Sequence, residues 1–185
     1  MESNYQQNEE VRGIEARRLD ALKRYGVLDN PQEEIFDRIT AAACAVCEVP
    51  FSAISLVDSN RLWFLSEIGI DATELVRDKS FCSYVTDHPE AIFEVADTAK
   101  DERFKDNPLL TGNLNIGFYA ASPLRTPEGY VLGTLAVLSD QPGTLSETQR
   151  LTLEYLAKLV MQLLEDKINS PVSVSYTHLT LPTKA

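Results

Sequence analysis

Two thiols and two carboxylates stand at spacings that could do chemistry. Cys44 and Cys47 lie three residues apart, the separation of a redox couple or of half a zinc site. They sit in an Ala-rich run of helical periodicity, however, where a buried thiol behaves as a small apolar group. Core packing is therefore the expectation for both. A zinc site would need two further ligands, and only Cys82, His88 and His178 remain to supply them. No metal is expected, and no cofactor is implied.

Asp97 and Asp101 could serve as an acid and base pair. In so acidic a chain they are expected instead to anchor a loop. Hydrolase chemistry lacks its parts: there is no Gly-x-Ser-x-Gly elbow, no Gly-rich phosphate loop and one credible histidine. The sequence thus leads to a non-catalytic binding module. Its candidate ligand-binding residues are Trp63, Phe81, Tyr84, Asp97, Arg103, Asn107, Phe118 and Tyr119, and Cys82 joins them only as a family resemblance implies. The aromatic members are read either as core packing, the default for each, or as walls around a flat or apolar guest, and the polar ones lie in a loop that needs internal contacts or a ligand to be ordered. An ion pair from Arg103 to Asp97 or Asp101 would pin that loop equally well.

The elements that must position these residues follow from periodicity. Val11, Ile14, Ala21, Leu22 and Tyr25 give a helical stripe over 9–25 that ends at Gly26, and Phe36, Ile39, Ala43 and Val46 give a second helix. Residues 51–57 and 62–68 read as a hairpin around Asp58-Ser59-Asn60. Residues 80–85 read as a short helix, 91–95 as a short strand and 97–112 as an irregular loop. The clearest hairpin pairs 116–125 with 130–138 around Thr126-Pro127-Glu128-Gly129, with Gly133 admitting a close neighbour. Ser146 and Gln149 form a capping-box pattern that opens a last helix to about residue 168. Leu153, Leu156, Val160 and Leu163 form its docking stripe. Leu151, Leu159 and Leu164 widen that stripe beyond one face, so a partner helix is expected to cover the rest.

The chain has 185 residues and a formal charge of −11, from 17 Lys+Arg against 28 Asp+Glu. That charge disfavours nucleic acid and anionic membrane surfaces as partners. Residues 1–8 are polar, show no signal-peptide pattern and are expected to be disordered. No apolar run is long enough to span a bilayer, and three cysteines do not make a disulfide framework, so a cytoplasmic setting is expected. One domain over 9–168 is the expectation. Residues 169–185 change composition abruptly, and Val174-Ser175-Tyr176-Thr177-His178-Leu179 resembles a translated sequencing-library adapter, so this tail is read as non-native or disordered.

Taken in order, several stretches resemble the GAF domain family, in the version found near the N-termini of bacterial sensor histidine kinases and diguanylate cyclases. They include Glu15-Ala16-Arg17-Arg18-Leu19, Tyr25-Gly26-Val27-Leu28-Asp29, Phe36-Asp37-Arg38-Ile39 and Ile54-Ser55-Leu56-Val57-Asp58. Further along come Trp63-Phe64, Ser80-Phe81-Cys82, Arg103-Phe104, Asp106-Asn107-Pro108-Leu109, Phe118-Tyr119-Ala120 and Leu132-Gly133-Thr134-Leu135. The resemblance covers residues 15–164. It implies an α+β fold: a central antiparallel β-sheet with N- and C-terminal helices packed on one face and ligand-pocket loops on the other.

The resemblance also implies a homodimer through the terminal helices, an unidentified small molecule as ligand, and regulation of an effector domain in cis, a histidine kinase or diguanylate cyclase. Leu62, Tyr84, Gly117 and Ala136 replace polar or reactive groups common at those family positions, which favours a neutral or apolar guest. Ser83 after Cys82 departs from the Cys-His pair of bilin-binding relatives. The alternatives are a structural dimerisation module without ligand and a thiol-based redox enzyme of GAF type.

Overall fold

The computed structural model describes residues 2–77, 85–87, 91–107, 112 and 114–170, with side chains from residue 6 onward. The expected helix over 80–85, the candidates Phe81, Cys82 and Tyr84, and the tail beyond 170 lie outside them, apart from Val85. The helices are α1 (Glu2–Arg24), α2 (Glu34–Cys47) and α3 (Glu147–Asn169). The strands are β1 (Phe51–Val57), β2 (Arg61–Ile68), β3 (Glu74–Val76), β4 (Phe93–Val95), β5 (Phe118–Arg125) and β6 (Val131–Ser139). They form one six-stranded sheet in the order β3-β2-β1-β6-β5-β4, with every pairing antiparallel.

Several boundaries follow directly from local chemistry. In α3 the Ser146 hydroxyl accepts the Gln149 amide at 3.2 Å, and the Gln149 side chain accepts the Ser146 amide at 2.8 Å, so the capping box is complete. Gln149 also donates to the Val46 carbonyl at 3.1 Å, tying the start of α3 to the end of α2. The β5–β6 turn closes through Thr126, whose hydroxyl accepts the Tyr130 amide at 3.1 Å.

The N-terminal expectation needs correction. Residues 2–8 are helical, and α1 starts at Glu2 instead of residue 9. The segment before residue 9 holds no Gly or Pro, so a helix already docked further along extends through it at little cost. The apolar stripe of α1 is also divided: Ala21, Leu22 and Tyr25 are buried, while Val11 and Ile14 are exposed.

Two cores sandwich the sheet. The helix-side core joins Leu22, Phe36, Ile54, Leu135, Leu153 and Val160 with others from all three helices. The opposite, loop-side core gathers Val57, Leu62, Phe104, Tyr119, Ala136 and Leu138. Strand alternation decides which residue goes where, except at two bulges. Ile54 pairs with Ser66 but Ser55 with Phe64, which leaves Leu65 as an extra residue in β2. Likewise Leu124 pairs with Gly133 but Arg125 with Val131, which leaves Leu132 extra in β6. Each bulge resets the phase: Leu65 and the very next residue, Ser66, which bonds Thr40 of α2 at 2.9 Å, both meet the helix side, as do Leu132 and Leu135.

At the second bulge β6 crosses β1 so closely that a Cβ on Gly133 would stand 1.8 Å from the Ser55 carbonyl oxygen. Only glycine fits there.

Candidate functional site

The candidate residues described by the structure do not form one cluster. Phe118 and Tyr119 are neighbours on β5 and therefore point to opposite faces. Tyr119 joins the loop-side core, whereas Phe118 lies in the helix-side core and Trp63 packs against it. The grouping of all three aromatics around one guest is thus corrected. The alternation of side chains along a strand was the signal that separated Phe118 from Tyr119; Trp63 takes the face of its cross-strand partner Leu56 in the helix-side core.

Trp63 takes part in a different arrangement. The Arg61 guanidinium lies 5.2 Å above its ring and is held by Asp29, Asp58 and Glu74, with contacts of 2.8 to 3.1 Å. These hydrogen bonds, led by those Arg61 donates to Asp29, raise the Arg61 pKa further above its ordinary value. Trp63 lines a cleft of about 720 Å³ with Asn30, Pro31, Phe64 and Glu67.

The loop face holds Tyr119, Arg103, Asp97 and Asn107 together. Residues 97–107 make two short 3-10 turns, each opened by an aspartate: the Asp97 carboxylate accepts the Ala99 amide at 3.2 Å and that of Asp101 accepts the Arg103 amide at 3.0 Å. The Arg103 guanidinium bonds Asp101, not Asp97, with its Nε at 2.8 Å, while Asp97 pairs with Lys100 at 3.0 Å. The hydrogen bond from Arg103 keeps the Asp101 carboxyl below its usual pKa. Arg103 also lies against both Phe93 and Phe104, 5.2 and 5.3 Å from their ring centroids. Phe93 in turn meets Phe104 and Tyr119 edge-on at 5.8 and 6.1 Å. Asn107 is buried behind this stack, its amide donating to the Phe104 carbonyl at 2.9 Å.

The family departures are apolar in fact as well as in type. Leu62 and Ala136 are both buried in the loop-side core. Gly117 has no room for a side chain, because a Cβ would meet the Asp140 carbonyl oxygen at 2.7 Å.

Of the two thiols on α2, Cys44 is half-buried and Cys47 buried. Cys47 is buried in the helix-side core, and burial raises its pKa to about 11; burial likewise raises that of Cys44. Neither is disposed to ionise. Among the described residues no cluster of His, Cys, Asp and Glu could hold a metal ion, and no helix is long and apolar enough to cross a membrane.

One antiparallel sheet, with helices on one side and a loop-covered second core on the other, defines an α+β domain of the GAF fold. The GAF domain model matches residues 31–164, and the chain belongs to that family. It is 41% identical over 141 residues to a cyclic di-GMP phosphodiesterase of Pseudomonas aeruginosa, a match that takes in 76% of this chain and 24% of that protein. The chain therefore spans about a quarter of the length of the curated relative it matches.

Among solved structures, the GAF domain of an Acinetobacter phosphoenolpyruvate-protein phosphotransferase shares the fold at TM-score 0.62 and 20% identity, over 80% of this chain and 93% of that one. A free methionine-R-sulfoxide reductase of Neisseria meningitidis does so at TM-score 0.61 and 18% identity, over 80% and 87%. The fold thus occurs both in a domain of a phosphotransferase and in a methionine sulfoxide reductase.

Proposed function

We propose that the chain is the sensory module of a bacterial signal-transduction protein, binding a neutral or apolar small molecule on the loop face and regulating an effector in cis. One observation carries this reading: β4 touches both ends of the required path. Phe93 faces the loop side and stacks under Arg103, while its neighbour Glu94 receives Thr144, Leu145 and Arg150 at the start of α3. A ligand that shifts the 97–107 loop changes the seat of Phe93, and with it the anchor of the helix.

A ligand acts in this way only by binding two arrangements with different affinity. Tyr119, Arg103, Asp97 and Asn107 are the described contacts proposed for it, and Phe81, Cys82 and Tyr84 are proposed to complete the wall. Trp63 and Phe118 are assigned to packing. The exposed apolar residues Val11, Ile14, Leu151, Tyr155 and Leu159 are proposed as the surface of a homodimer in the cytoplasm. The effector is proposed to turn over cyclic di-GMP, in keeping with the name of the Pseudomonas relative. Domain limits of 9–168 extend to 2–168 with the longer α1.

Thermal melting against a panel of neutral and anionic metabolites tests the proposal. A neutral binder should raise the midpoint, and Arg103→Ala should abolish the rise. Dimerisation with no binder in the panel supports a purely structural module, and thiol-dependent turnover of free methionine sulfoxide supports an enzyme.

A further inference from the structure

We infer that α1 is a hinged arm with two orientations, held in the one seen here by a single catch between Glu15 and Arg77, and that the end of β3 works this catch. The foot of the arm is fixed: Ala21, Leu22 and Tyr25 are buried, and the Tyr25 hydroxyl donates to Glu165 of α3. Above the foot the hold is thin. Residues 6–12 are all exposed, and a Cβ on Gly13 would meet nothing within 4 Å. Among the described residues, Glu15 makes the one hydrogen bond or ion pair that runs from residues 6–17 to the body of the domain, and its partner there is Arg77.

Breaking a half-buried ion pair commonly strands a charge. Here neither charge is stranded. Glu15 is also bound by Arg18 of the same helix, through Nε at 2.8 Å and an Nη at 2.9 Å, and carries that partner with it when α1 tilts. The Arg77 Nη1 that meets Glu15 also donates to the Asp58 and Ser59 carbonyls at 3.1 and 3.4 Å, so it stays satisfied on the β1–β2 turn. The bond from Arg18 to the Val131 carbonyl, at 3.5 Å, is too long to restrain the tilt much. Two orientations that keep nearly the same polar contacts make a bistable element.

Arg77 follows β3 directly. That strand has three residues, and the Arg77 amide continues its ladder to the Asn60 carbonyl at 3.3 Å. A shift of so short an edge strand moves the Arg77 backbone, and with it the guanidinium that Glu15 grips. The orientation of α1 then follows the β2–β3 edge by a route separate from β4 and α3. The catch is intramolecular and stands whether or not the loop face binds a ligand.

Residual dipolar couplings of the intact chain, without added ligand, test the arm. In the wild type the amides of residues 14–20 should fit the alignment of the sheet. In Glu15→Gln their couplings should fall by about a third or more while those of the sheet hold, because the helix then samples both orientations. Val76→Pro, on the exposed edge of β3, should release the arm with both charges in place, and should add nothing when joined to Glu15→Gln. The inference is overturned by α1 couplings that stay unchanged in either variant, that fall together with those of the sheet, or that fall additively in the double variant.

Discussion

Both donor groups of Arg150 converge on a single carboxylate oxygen of Glu94, Nε at 3.0 Å and an Nη at 2.8 Å. The other oxygen accepts the Thr144 hydroxyl at 2.7 Å and the Leu145 amide at 3.2 Å. One side chain of the edge strand β4 thus satisfies the approach to α3 and its first turn.

Removing that carboxylate should loosen the helix start. Glu94→Ala is expected to cost about 2 kcal/mol, because charge-assisted bonds to a largely buried acceptor are lost together. Arg150→Ala should cost less, as its guanidinium is half exposed. Denaturant unfolding measures both. Amide exchange at residues 147–150 should accelerate in the Glu94 variant.

Glu15 gives the fold an acid-sensitive clamp. Burial alone would raise its pKa, but hydrogen bonds and charge from Arg18 and Arg77 outweigh burial and lower it from 4.5 to about 2. A depressed carboxylate contributes stability above its unfolded pKa and loses it as pH falls toward the folded value. The wild type should therefore melt higher than Glu15→Gln at neutral pH, and the gap should close between about pH 4.5 and pH 2. A gap that persists at the acid end would contradict the assignment.

Gly133→Ala places a methyl group against the backbone of β1, which no side-chain rotation relieves. A loss of about 3 kcal/mol or more is expected, from forced separation of β1 and β6. Circular dichroism melts would show it. Gly13→Ala, on the open surface of α1, should instead be neutral or stabilising.

The proposed homodimer predicts a clean separation of assembly from folding. Leu159 is 45% exposed on α3, so Leu159→Glu should leave the melting temperature of the isolated chain nearly unchanged. In sedimentation it should move the population from dimer to monomer. Unaltered sedimentation would remove α3 from the interface.

The legible parts of this fold are those whose signals are local. Ser146 with Gln149, Gly26 after α1, the turn at Thr126 and the close approach at Gly133 each announce themselves in a few residues, and each is where the sequence places it. The three-residue strand β3 lacks enough residues to show a period, and it is held by pairing with β2. The face of Trp63 follows from its pairing with Leu56, which lies in the helix-side core, and that register is a property of the β1–β2 pair, invisible in either strand alone. Leu164 was counted as surplus on α3 but is buried, since Leu156 and Leu163 are only partly covered and the docking stripe is rotated. The polar loop was found as a unit, yet the choice of Asp101 over Asp97 by Arg103 depends on the turn each aspartate opens.

Gln149 has a mechanical consequence. It closes the capping box of α3 and also grips the Val46 carbonyl at the end of α2, so the base of α3 is fixed to two neighbours at once. A piston stroke along the helix axis would break these bonds together with those of Glu94. A tilt about that turn is checked at the far end of the helix, where Glu165 accepts the Tyr25 hydroxyl and Lys167 pairs with Glu33. The stretch from Gln149 to Asn169, about 30 Å long, is therefore pinned near both ends, and a load at its base reaches Tyr25 and Glu33 as strain instead of as a swing.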